Sequence, residues 1–176
     1  MNFGEMINVY NAYVGAEGDI DDAEIAQWFN EAQKDLAYDF GPAKMHTYEN
    51  IAAGIGVNPP PDNMRVLDAD QPYSINAAGM LVFEYGGSPT ITYRYAPPPE
   101  SLFTGSDDEQ SSYLPFLIHD LMCLWAAYRY WLREAEGDSE EMNQAMRWYQ
   151  DYQTAKAMAR VKLDNGNSKI DRWTVI

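Results

Sequence analysis

"DIDDAEIAQWFNEAQKDLAYDF", Asp19 to Phe40, reads as a helix from both ends inward. Asp21 stands where an N-cap would accept backbone N–H groups, and Glu24, three residues on, meets the positive end of the helix dipole, an acidic version of the capping box. Ile25, Trp28, Phe29, Ala32 and Leu36 recur at spacings of three and four, while Gln27, Asn30, Glu31, Lys34 and Asp35 take the other side. Gly41-Pro42 stops the run, because the residue before a proline disfavours helical backbone. The expectation is a capped amphipathic helix anchored in a core by Trp28 and Phe29.

The same rhythm recurs on both sides of it. Phe3, Ile7, Tyr10 and Val14 share a face, which predicts a short helix at about 4–14 closed by Gly15. Leu114, Leu117, Leu121, Leu124, Tyr128 and Trp131 form a wide apolar stripe, predicting a helix at about 113–136 capped by Ser111 or Ser112 and stopped at Gly137. Asp138 with Glu141 repeats the acidic cap, and Met142, Ala145, Trp148, Tyr149, Tyr152, Ala155 and Ala159 trace a further helix at about 139–163. The short turn between these two predicts an antiparallel helix hairpin. Trp28, Phe29, Leu121, Trp125 and Trp148 are the expected core.

Between Lys44 and Glu100 the helical period disappears, and "NPPPDN" and "YAPPPES" punctuate the chain. "MLVFEYGGSPTITYRYA" alternates, with Leu81, Phe83 and Tyr85 on one face and Ile91, Tyr93 and Tyr95 on another, so a β-hairpin turning at Gly86 to Pro89 is expected. Met64 to Leu67 adds a third strand, giving a β region at about 64–96. The expected class is mainly α: a helical bundle with a long antiparallel hairpin, a small antiparallel β insertion and a C-terminal tail. One domain over about residues 1–166, followed by a tail over about 167–176, suits a chain of 176 residues.

Composition narrows the function classes. Twelve Lys and Arg against 27 Asp and Glu give a formal charge of -15, which opposes attraction to nucleic acid phosphates. The most apolar run, Leu114 to Leu132, holds Pro115, His119, Asp120 and Arg129, too costly for a bilayer, so a buried helix and no membrane partner are expected. The first residues carry Glu5 and no Lys or Arg before Lys34, unlike a signal peptide. The single cysteine, Cys123, sits in "LMCLWA" and reads as core rather than nucleophile. His46 and His119 lie outside any metal-ligand spacing, "GDIDD" and "LDAD" lack the spacing of a calcium loop, and "GIGVNPPP" leads into prolines instead of a phosphate-binding helix. No catalytic residue, metal or cofactor is expected. The closing "SKIDRWTVI" exposes Trp173, Val175 and Ile176 after a polar break, a sticky patch that suits a partner or the chain's own domain.

This order of parts resembles the head-to-tail adaptor (connector, head completion) proteins of tailed bacteriophages. The likeness spans the chain and is sharpest at Ala23 to Gln33, with Trp28, Asn30, Glu31, Ala32 and Gln33; "ITYRYAPPP" and the aromatic helix hairpin support it more loosely. Pro- and Gly-rich residues 46–75 depart from the pattern. The resemblance implies a non-enzymatic subunit made in the host cytoplasm and placed in the virion neck. It implies a ring of twelve below the portal protein, above the next neck protein, with double-stranded DNA passing through without sequence-specific contact. It further implies that Lys169, Ile170, Asp171, Arg172, Trp173, Thr174, Val175 and Ile176 bind the portal, and that Tyr85, Gly86, Gly87, Ser88 and Pro89 serve a subunit or neck interface. Two other readings stay open at this point: another neck or tail-completion protein, and a small cytoplasmic regulatory or ligand-binding protein whose tyrosine-rich hairpin lines a pocket.

Overall fold

The computed structural model describes residues 1–15 and 20–170, with side chains as far as Leu163. The elements are α1 (Phe3–Val14), α2 (Asp22–Phe40), β1 (Ala43–Thr47), β2 (Gly56–Val57), β3 (Asn63–Ala69), β4 (Tyr73–Ile75), β5 (Leu81–Phe83), β6 (Thr90–Tyr95), α3 (His119–Glu134) and α4 (Ser139–Ile170), with 3-10 turns at Pro99–Ser101 and Phe116–Ile118. They divide into two compact units, residues 1–35 with 98 onward, and Leu36–Pro97.

The helical unit is set by its caps. Asn2 accepts from Glu5 N at 2.9 Å while the Glu5 carboxylate accepts from Asn2 N at 3.0 Å, a reciprocal capping box at α1, and Gly15 closes the helix in the left-handed region at φ 69°. Asp21 opens α2, its carboxylate accepting from Ala23 N at 3.2 Å and its carbonyl from Ile25 N at 3.1 Å. Phe3, Met6 and Tyr10 of α1 are buried with Ile25, Trp28 and Phe29 of α2 and Met122, Cys123 and Ala126 of α3. Phe3 meets Phe29 edge-on at 5.9 Å and stacks on Phe103 at 5.2 Å; Tyr10 meets Trp28 and Tyr130 edge-on. On α4, Ala145 and Tyr152 are fully buried, and the Tyr152 hydroxyl donates to Asp35, which also takes Lys156 Nζ at 2.6 Å.

Asn30, read from sequence on the polar side of α2, and Gln33 have a structural task. Asn30 donates to Phe103 O at 2.9 Å and accepts from Phe103 N at 2.8 Å, and buried Gln33 donates to Ser101 O at 3.1 Å. These bonds satisfy the backbone of the loop that delivers Phe103 to the core.

Two helix boundaries differ from expectation. Pro115 cannot continue a helix inward, so Phe116–Ile118 is a 3-10 turn and α3 begins at His119. The tighter turn shifts the phase: Leu114 and Ile118 are buried, while Leu117, expected on the core stripe, is 78% exposed. At the other end α4 continues through Asp164 to Asn167, which was expected to stop it, as far as Ile170. A lone interior glycine costs only about 1 kcal/mol, too little to end so long a helix.

The expected mainly α class is corrected by the second unit. Besides four helices the protein has two three-stranded antiparallel sheets, ordered β1-β6-β3 and β2-β5-β4, so the class is mixed α and β. The single hairpin of β5 with β6 does not form. β5 pairs with β2 and β4 (Val57↔Leu81, Ile75↔Leu81), and β6 pairs with β1 and β3 (Met45↔Thr92, Val66↔Tyr93). Residues 84–89 lie instead against the segment after β1: Ile51 and Gly87 exchange backbone bonds at 2.8 and 3.0 Å, and Tyr48 N donates to Pro89 O at 2.9 Å. Gly86 allows this, since a Cβ there would stand 3.2 Å from Ile51 O. Of the residues that the alternation groups, Tyr85 lies past the end of β5 and is exposed, while the strand residues turn inward. Leu81, Phe83, Ile91 and Tyr93 form one buried cluster, joined by Tyr48, Ile51, Val57 and Val66. Asp62 accepts from Lys44 and Tyr93, each at 3.0 Å; burial raises its pKa, but these bonds outweigh that and hold the carboxyl below its usual range.

His119 is buried, with Nε2 2.9 Å from Leu114 O and Nδ1 2.9 Å from the Met1 amino group. Desolvation pushes its pKa down, so the folded imidazole stays neutral where the unfolded one protonates. Its stabilising effect is therefore complete above about pH 6.5 and declines as pH falls below that value. Urea midpoints from about pH 7.5 to 5.5 should fall more steeply for the native chain than for His119→Gln. Equal slopes would reject this role.

Candidate interaction surfaces

The residues of possible chemistry are placed apart from one another. Cys123 Sγ lies 3.6 Å from the carbonyls of Met6 and His119, and burial pushes the thiol far above its ordinary value, the opposite of a poised nucleophile. His46 is exposed on β1 against Tyr48, with ring centroids 4.6 Å apart. Among the described residues no group of three or more His, Cys, Asp or Glu could hold a metal ion, and no helix is long and apolar enough to cross a membrane.

What the helical unit does offer is one face of the α3–α4 hairpin. At the end near the start of α3, Leu117, Ile118 and Leu121 meet Ala155, Met158, Ala159 and Leu163 of α4 around a hollow of about 300 Å³, with Asp120 and Lys162 at its edge. The small side chains of Ala155 and Ala159 leave the space. Leu117 and Met158 are 78% and 60% exposed, and Phe116 and Val161 beside them are exposed as well. At the opposite end, Trp131 of α3 and Asp138, Glu140, Glu141 and Gln144 of α4 line a second hollow of about 320 Å³. Asp138 caps α4 there, accepting from Glu140 N at 2.7 Å.

The expected site residues fall in three places. Tyr85, Gly86, Gly87 and Ser88 are exposed in the second unit and Pro89 is buried; Gly86 serves the close approach to Ile51 described above, and Gly87 holds a positive φ of 135°. Lys169 and Ile170 belong to the last turn of α4, and Asp171 to Ile176 lie outside the described residues. Of the expected core, Trp28, Phe29 and Leu121 are buried. Trp125 and Trp148 are only partly buried, packed on Tyr152 at 5.2 Å and Tyr13 at 5.3 Å.

No known family profile matches the chain, and no curated protein matches its sequence. The surface at Phe116, Leu117, Met158 and Val161 is not among the sequence expectations, where Leu117 falls on the core stripe. Two signals mark it all the same: Pro115 resets the helical phase ahead of Leu117, and Met158 and Val161 fall off the Ala145, Tyr152 and Ala159 stripe.

Proposed function

We propose that this protein is a head-to-tail adaptor of a tailed bacteriophage: a non-enzymatic virion subunit, assembled as a ring between the portal and the next neck protein, that extends the channel for DNA. The order of parts along the chain supports it. The observation that carries it is α4. This 32-residue helix has no fully buried side chain from Gln153 to Leu163, exposes Met158 and Val161, and runs to Ile170, immediately before the Trp173-bearing segment. A helix of that length spans about 48 Å and is held to its own core chiefly through its first half, which suits an element that engages a partner with its second. In this reading residues Lys169 to Ile176 engage the portal, Tyr85 to Pro89 serve a subunit or neck contact, and the strong negative charge keeps the channel wall from holding passing DNA.

Co-sedimentation with the portal complex of the same genome tests the reading. Retention near one copy per portal subunit is expected, and it should be lost on deleting Ser168 to Ile176 and weakened by Trp173→Ala. Absence of retention on an intact portal would overturn it; attachment only to the tail side of the neck would replace it with a tail-completion role.

A further inference from the structure

The two hollows on the α3–α4 hairpin open on the same side. Glu140 and Met158, like Gln144 and Lys162, are eighteen residues apart on α4, five full helical turns and about 27 Å. The face between them carries charges in the order Glu140, Arg147, Asp151, Lys162, alternating in sign. Turned end over end and laid on itself about a point near Gln150, this order sets Glu140 near Lys162 and Arg147 near Asp151, twice over. None of these four side chains has an ion-pair partner among the described residues. By contrast Arg129, Arg133 and Lys156 are bound to Glu31, Glu24 and Asp35 of α2.

We propose that two copies of this chain pair through this face with their α4 helices antiparallel, the acidic end of each lying over the apolar, Lys162-rimmed hollow of the other. The pairing is isologous, since one surface serves both partners, and it closes at two copies. Leu117, Met158 and Phe116 supply the apolar area that water leaves, and the charge order fixes the antiparallel direction over the parallel one, which would oppose like charges. A contact that closes at two is different from one that builds a ring, so the pair is a state of the unassembled subunit and stands or falls apart from the adaptor reading.

Sedimentation velocity of the full-length protein at low salt tests it. The native chain should show a reversible monomer–dimer equilibrium. Lys162→Glu alone, and Glu140→Lys with Glu141→Lys alone, should each weaken it at least tenfold, and mixing the two variants should restore dimers, because each then offers the other its complement. Glu140 and Lys162 are exposed and Glu141 is half-buried, so circular dichroism should report unchanged folding. Met158→Asp should weaken the dimer, and the Lys162→Glu variant should not rescue it. A chain still monomeric at about 1 mM, where even a contact worth about 4 kcal/mol would show, overturns the proposal. So do variants without effect, a mixture that fails to restore, species larger than two, or a free peptide of residues 168–176 that occupies the hollow and displaces the partner. Portal retention, measured separately, does not depend on which of these results is obtained.

Discussion

Phe29→Ala is expected to cost the helical unit about 3–5 kcal/mol, the usual range for emptying a core of a phenylalanine. Phe29 has no exposed surface and stands edge-on to both Phe3 at 5.9 Å and Phe103 at 6.1 Å, while Phe3 and Phe103 stack on each other. Three elements thus meet at one ring: α1 through Phe3, α2 through Phe29, and the loop after the second unit through Phe103. None can close the gap without leaving its own anchor, since Phe103 is tied through its backbone to Asn30, and Phe3 N donates to Gln110 O at 2.8 Å. The lost stability corresponds to a fall of roughly 6–20 °C in Tm for a chain of this size. The four described tryptophans, Trp28, Trp125, Trp131 and Trp148, belong to the helical unit, and none lies in the strands, so fluorescence follows the unfolding of the helices. Phe116→Ala is the matched control, removing the same side chain from an exposed position, and should move stability by less than about 0.5 kcal/mol.

The helices were legible in sequence and the sheets were not, for reasons that lie in particular residues. Asp21 to Phe40 carries several turns of consistent period with a cap at one end and Gly-Pro at the other, so the local signals agree and α2 needs no tertiary contact to be recognised. Strands β2 and β4 have two and three residues, too few for alternation to register, and what creates them is pairing with distant segments. The hairpin reading failed on the same ground. Gly86-Gly87 is a sound turn signal, but Gly86 answers to the close approach of Ile51, 35 residues earlier, and Gly87 to backbone bonds with the same residue, and no local rule contains those contacts.

The surfaces divide in the same way. Exposed apolar residues on a regular helix can be found by phase alone, as at Met158 and Val161. Leu117 could not, because its exposure depends on how Pro115 joins a 3-10 turn to α3. Two residues of the Ala23 to Gln33 stretch on which the likeness to phage adaptors is sharpest, Asn30 and Gln33, clamp the loop bearing Phe103. Their contribution is to fold stability, which leaves the proposed assembly role to rest on α4 and what it presents.

The same loop carries the second large effect. Gly105→Ala is expected to destabilise the helical unit by about 3 kcal/mol or more, through strain and displacement together. Gly105 has φ +78°, where a side chain costs about 1–2 kcal/mol, and a Cβ there would stand 2.6 Å from both N and Cα of Ala23. Those atoms belong to the first turn of α2, fixed by the Asp21 cap, so the loop must retreat. Retreat pulls on Phe103 two residues earlier, which is buried against Phe3 and Phe29 and bound twice to Asn30. Gly15→Ala separates the two causes. Gly15 also has positive φ, 69°, but a Cβ there meets nothing within 4 Å, so only the backbone strain of about 1 kcal/mol should appear. Unfolding followed by tryptophan fluorescence should rank the native chain, Gly15→Ala and Gly105→Ala in falling order of stability. Equal losses at the two glycines would mean that the loop yields freely, and that Phe103 is not held as the Asn30 and Phe3 contacts require.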